Sequence, residues 1–114
     1  MPYISTRTTV TISQEKKASL KVKLGEAIAL LPGKSESWLM LSFEDSCTMY
    51  FKGSDAKPLA FVEVKLYGKS TADAYSRLTK AITEIIHEEL GIAEDCIYVT
   101  YEEISTWGWN GSNL

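Results

Sequence analysis

The chain has 114 residues, 45% hydrophobic and 24% charged, a balance that suits one folded domain and excludes wholesale disorder. A net charge of −3 leaves no basic face for a phosphate backbone, and no apolar stretch approaches the roughly 20 residues of a bilayer span, so neither nucleic acid nor membrane is expected as a partner. The start, Met1-Pro2-Tyr3-Ile4-Ser5-Thr6-Arg7, lacks a basic segment leading into an apolar core, so no signal peptide is read there; the two cysteines, Cys47 and Cys96, signal no disulfide scaffold, so a reducing cytoplasm is the expected compartment.

Residues 3–10 are rich in β-branched and aromatic types and read as a strand. Ser13 is placed to cap a helix whose apolar positions Leu20, Leu24, Ala27, Ile28 and Leu31 recur at helical spacing, and Pro32-Gly33 stops it. Residues 38–43 form a nearly continuous apolar run, as expected of a buried strand. Residues 44–55 are expected to hold a short edge strand and a glycine-bearing turn. A second round follows. Residues 59–67 read as a strand, and Thr71 caps a helix carrying Ala74, Leu78, Ile82, Ile85 and Ile86. Gly91 ends that helix, and residues 97–101 form the last strand.

The two rounds are in register. Ser13 and Thr71 stand 58 positions apart, as do Gly33 and Gly91, Leu20 and Leu78, Leu24 and Ile82, and Ile28 and Ile86. This is an internal β-α-β duplication within a single domain 1–114, with halves of about 2–57 and 58–114. Right-handed crossovers then give an α+β fold: a four-stranded mixed sheet with two helices on one face. Residues 38–41 would put apolar side chains on both faces of that sheet. A far face left in water would expose a large apolar patch, so self-association is expected.

Three short motifs add to the duplication and the 97–101 strand: Met1-Pro2, Gly33-Lys34, and Trp107-Gly108-Trp109-Asn110-Gly111-Ser112. Together they resemble the macrophage migration inhibitory factor family of the tautomerase superfamily, over the whole chain from Pro2 to Asn113. The resemblance implies a homotrimer whose sheets wrap into a barrel. It implies that Pro2, after removal of Met1, is the catalytic base. The active site would lie between subunits, with Pro2 and Lys34 from one chain and Tyr98 from the next. The implied reaction is cofactor-independent keto–enol tautomerisation of a small aromatic α-keto acid of the phenylpyruvate type. Some relatives are secreted cytokines. The alternative is therefore a signalling protein that binds a receptor through its trimer surface, keeps only vestigial activity and is exported without a signal peptide. A third reading, outside the family, is a small-molecule-sensing module on the same duplicated unit.

Physical chemistry supports the proline independently. An α-amino group titrates near roughly 7.7–8.0, and both burial and a nearby cation such as Lys34 disfavour its protonated form. Each moves the amine toward the neutral state that a general base needs. Lys34 would also pair with a substrate carboxylate and favour charge developing on an enolate oxygen. While Met1 is attached, the Pro2 nitrogen is an amide and useless as a base. On context alone Lys34 is a solvated residue near a helix C-terminus and Tyr98 a core or interface aromatic; the resemblance gives them their roles.

Other positions depart from the family pattern. Thr100 stands where Asn is common and reaches less far with its hydroxyl. Tyr67 and Trp107 replace smaller aliphatic residues, and Trp38 takes the place of a Tyr. These four complete the expected substrate-binding set, and the three large aromatics narrow or reshape the pocket. The Cys-x-x-Cys of some relatives is replaced by Leu59-Ala60-Phe61-Val62, so no disulfide reductase activity is expected.

Several residues carry blander readings. His87 is expected to be a solvated helix residue, and Lys16, Lys17, Lys21 and Lys23 a solvated helix face. Cys96 reads as a small buried hydrophobe, and nothing marks Cys47 as activated. With one histidine and two distant cysteines, neither a metal site nor a disulfide framework is expected. Lys69-Ser70-Thr71 at a helix start lacks the full phosphate-loop spacing.

Overall fold

The computed structural model describes residues 1–114. Strand β1 (Pro2–Thr8) leads to helix α1 (Gln14–Ala27), which tightens into a 3-10 turn at Ile28–Leu30. A second 3-10 turn, Glu36–Trp38, precedes β2 (Met40–Glu44). Strand β3 (Ala60–Tyr67), helix α2 (Ala72–Leu90) and β4 (Ile97–Ile104) follow, then a small hairpin of β5 (Gly108–Trp109) and β6 (Ser112–Asn113). The main sheet has the order β2-β1-β3-β4, with β1/β2 and β3/β4 parallel and β1/β3 antiparallel. The α+β fold and the mixed sheet are those expected from the sequence.

Local chemistry explains the helix ends. The Ser13 hydroxyl accepts from the Lys16 N–H at 3.2 Å, and the Thr71 hydroxyl from the Ala74 N–H at 3.1 Å, each satisfying an otherwise unpaired donor. Gly91 adopts φ 68° and donates its N–H to the His87 carbonyl, a left-handed conformation that costs glycine least. His87 is exposed, yet its ring adds to this stop: Nδ1–H donates to the Ile92 carbonyl at 2.7 Å.

Leu20, Leu24 and Ile28 from the first half meet Leu78, Ile82 and Ile86 from the second over Ile4, Val62, Val64 and Leu66 of the sheet. Each is fully or almost fully buried, worth about 1.5–3 kcal/mol per side chain. Strand β3 alternates buried and half-buried residues throughout, which places both helices on one face of the sheet.

Three expectations are corrected. Trp38 and Leu39 are not in the strand, because their N–H groups bond to the carbonyls of Ser35 and Glu36 in the 3-10 turn. Pairing starts at Met40, opposite Tyr3, and β2 is a half-exposed edge strand rather than a buried one. Residues 44–55 form no edge strand. Ser46 and Cys47 instead donate to the carbonyls of Val10 and Thr8, and a tight turn at Lys52-Gly53 closes a single bridge between Phe51 and Ser54.

The far face of the sheet is not broadly apolar either. Its middle carries Ser42, Ser5, Glu63 and Thr100 in one row, because register sends Leu41 and Phe43 to the helix side. The Tyr3 and Ser42 hydroxyls bond at 2.6 Å, and Arg7 pairs with Glu44 at 3.0 Å. Apolar exposure is confined to the ends and edges, with Met40 68% exposed.

The lysines of α1 are also less idle than expected. Glu89 on α2, only 8% exposed, accepts from Lys23 at 2.7 Å, Ser19 at 2.6 Å and Lys16 at 3.3 Å. These bonds, Lys23 first, hold its carboxyl at about 2. A depressed carboxylate stabilises the fold above its unfolded value and loses that contribution as pH falls toward the folded one. Thermal melts of Glu89→Gln should therefore show a lower Tm than wild type at pH 7, and the gap should close between about pH 4.5 and pH 2. A gap independent of pH would show that the ion cluster contributes nothing through its charge.

Candidate active site

Pro2 opens β1, paired opposite Leu66, where its missing N–H leaves no gap in a ladder. It is buried, while Met1 before it is partly exposed. The Met1 carbonyl accepts from the Tyr67 N–H at 3.1 Å, tying the chain start to the end of β3.

Lys34 arrives from another direction. Gly33, at φ 80°, reverses the chain after α1, and the Lys34 N–H bonds the Leu31 carbonyl at 3.0 Å. The side chain then runs back to the sheet, where Nζ donates to the Tyr67 carbonyl at 3.0 Å. Its ammonium lies beside the terminal amine. Burial, then the charge of Lys34 and contact with it, push that amine below its ordinary value of 8.0.

An open groove of about 700 Å³ passes this point, lined by Pro2, Trp38, Met40, Trp107 and Trp109 among others. Trp38 comes from the 3-10 turn and Trp109 from the hairpin. Their rings meet edge to face, with centroids 5.1 Å apart at 89°, a favoured aromatic geometry. Asn110 (φ 53°) and Gly111 (φ 81°) form the turn that returns the chain, and the Leu114 N–H bonds the Trp107 carbonyl at 2.9 Å. Trp109 was not among the site residues expected from the sequence. The Asn-Gly turn between short extended pieces is the signal that would have placed it.

Of the expected site residues, one chain therefore brings together Pro2, Lys34, Tyr67, Trp38 and Trp107. Tyr98 and Thr100 lie elsewhere. The Pro2–Leu66 level of the sheet meets β4 at Glu103, whereas Tyr98 pairs with Phe61 and Thr100 with Glu63. Five strand positions separate Glu103 from Tyr98, roughly 17 Å at the rise of a strand. Tyr98 is 54% exposed and meets Phe51 and Phe61 edge to face.

The start of α2 offers no free anion site at Lys69-Ser70-Thr71. The Glu103 carboxylate already sits there, accepting from the Tyr75 hydroxyl at 2.6 Å and the Ser70 N–H at 3.4 Å. Nor does any group of three or more His, Cys, Asp or Glu side chains converge as metal ligands.

The family model described as macrophage migration inhibitory factor matches residues 1–114. The crystal structure of Leishmania major MIF2 is similar over 100% of this chain and 97% of that one, at 33% identity and a TM-score of 0.93. A macrophage migration inhibitory factor homologue from Prochlorococcus marinus is 29% identical over 97% of each chain, with a TM-score of 0.82. A MIF-like protein of Caenorhabditis elegans is 23% identical over 100% of this chain and 95% of its own length. The chain belongs to the macrophage migration inhibitory factor family, within the tautomerase superfamily.

Proposed function

We propose that the protein is a cofactor-independent keto–enol tautomerase of phenylpyruvate-type α-keto acids, with Pro2 as general base once Met1 is removed. The observation that carries this reading is the Lys34 ammonium beside the start of β1, where burial and that charge lower the pKa of the terminal amine. That amine now belongs to Met1. Pro2 lies one residue deeper and is itself buried, so its secondary amine would meet the same two influences, both favouring the proton-accepting form.

Removal of Met1 has a second effect. It takes away the carbonyl that the Tyr67 N–H now bonds. The freed N–H and the Lys34 ammonium, which is held on the carbonyl of the same residue, become two donors next to the base. One pairs with the substrate carboxylate and the other with the keto oxygen, where charge develops. The Pro2 nitrogen takes a proton from the carbon beside the keto group, and the C–H electron pair becomes a C=C bond. The keto oxygen, now an enolate, takes a proton from water to give the enol, and the Pro2 ammonium returns its proton to the solvent, which regenerates the base; the reverse sequence returns the ketone. Trp38 and Trp107, joined by Trp109, line the groove and suit a flat aromatic side chain, which supports an aryl substrate.

Tyr98 and Thr100 complete the site from a neighbouring subunit in this reading. The Pro2 groove and Tyr98 occupy opposite ends of the sheet, so a contact joining them is head-to-tail, and such a contact gives a ring where its rotation closes. We infer a homotrimer whose sheets wrap into a barrel. The polar far face then lines the interior, and the open edges of β2 and β4 gain partners.

Light scattering should give three times the chain mass; a monomer at working concentration would sink the shared site. In Met1-free protein, Pro2→Gly should lower phenylpyruvate tautomerisation by about 10²-fold or more, the scale of a positioned base. Unchanged turnover would remove Pro2 from the mechanism, and receptor binding that survives in a trimeric, inactive Pro2→Gly variant would favour the cytokine-like reading. Lys34→Ala should raise KM by roughly 10- to 100-fold, from loss of a charged hydrogen bond worth about 1.5–3 kcal/mol. An unaltered KM would mean that the carboxylate binds elsewhere.

A further inference from the structure

The hairpin that carries Trp109 turns at Asn110-Gly111. Both turn residues are exposed, and both hold positive φ, 53° and 81°. Strands β5 and β6 pair only through Gly108 with Asn113 and Trp109 with Ser112, and they form a sheet of their own. A two-stranded ribbon this short is marginal by itself. Its supports are the 2.9 Å bond from the Leu114 N–H to the Trp107 carbonyl and the edge-to-face contact of Trp109 with Trp38. The edges of β2 and β4, which the inferred trimer uses, belong to the other sheet.

The turn brings together two groups that can react. The Gly111 N–H makes no hydrogen bond within the chain, and glycine puts no Cβ in the path of that nitrogen. The carboxamide of Asn110 precedes it by one residue, at the distance that closes a five-membered ring. In the closed turn the left-handed conformation of Asn110 holds the two apart from the geometry of attack. A local opening of the hairpin removes that constraint.

We propose that Asn110-Gly111 is a site of spontaneous deamidation, and that the isoaspartyl product releases Trp109 from the Pro2 groove. The Gly111 nitrogen gives its proton to water and attacks Asn110 Cγ. A new N–C bond forms, the Cγ–Nδ2 bond breaks, and the amide nitrogen takes up a proton and leaves as ammonia. Water then opens the cyclic imide at one of its two carbonyls. Attack at Cγ leaves aspartate; attack at the main-chain carbonyl leaves isoaspartate, whose backbone runs through Cβ and Cγ. The extra backbone carbon lengthens a two-residue turn whose register sets Trp109 opposite Ser112. One wall of the groove is then lost, at a rate governed by how tightly Trp38 holds Trp109. None of this requires the groove to catalyse a reaction.

Incubating the whole protein in mildly alkaline buffer, with peptide mapping and indole NMR at intervals, tests this. Isoaspartate should accumulate at residue 110 and not at Asn113. The Trp109 indole signal should move, in the same proportion, toward that of an indole in water. Asn110→Gly, which suits φ 53° and has no carboxamide, should show neither change. Trp38→Ala should speed the conversion roughly two- to tenfold, the factor that an edge-to-face aromatic pair is worth. No isoaspartate at residue 110 would overturn the proposal. So would isoaspartate that leaves the Trp109 signal in place, or a conversion rate unchanged in Trp38→Ala.

Discussion

The hydrogen bond from the Lys34 ammonium to the Tyr67 carbonyl ties the loop after α1 to the end of β3, and the candidate site depends on it. Without that anchor a lysine following a helix stop would extend into water. With it, a positive charge is fixed beside the first residue of β1, and the aromatic walls from the 3-10 turn and the hairpin close around the same point. The charge affects the amine directly, because protonating a group next to a fixed cation in a partly dry setting is unfavourable.

The sheet explains why one chain holds only part of the proposed site. Duplication places equivalent strands β1 and β3 antiparallel at the centre and leaves β2 and β4 as edges. The start of β1 and the start of β3 therefore lie at opposite ends of the sheet, Pro2 at one and Tyr98, opposite Phe61, at the other. The expected drive for association was an apolar far face, but the register gives a polar one with hydroxyls and an ion pair. The case for an assembly rests instead on exposed edges and on the exposed side chains Trp38, Met40, Tyr98 and Trp109 near them. Such a face tolerates water and suits the inside of a barrel.

Much of the fold was legible because its signals are local. Ser13, Thr71 and Gly91 act through bonds within one turn of their own helices, and the helical stripes repeat at a spacing any reader can count. What the sequence concealed depends on partners remote along the chain. Trp38 looks like strand until its N–H is seen to bond Ser35. Lys16 and Lys23 look solvated until Glu89, more than sixty residues later, is placed between them. At the site, Pro2 and Lys34 stood out through the family resemblance, whereas the Tyr67 backbone carries no side-chain signature. Trp109 was hidden because a two-residue strand has no periodicity to read.

The most direct test follows the ionisation of isotope-labelled Pro2 by NMR in protein freed of Met1. The account requires a midpoint below the 8.0 of an ordinary terminal amine, and a rise toward that value when Lys34 becomes Ala. A Pro2 nitrogen that titrates at the ordinary value with or without the lysine would contradict it.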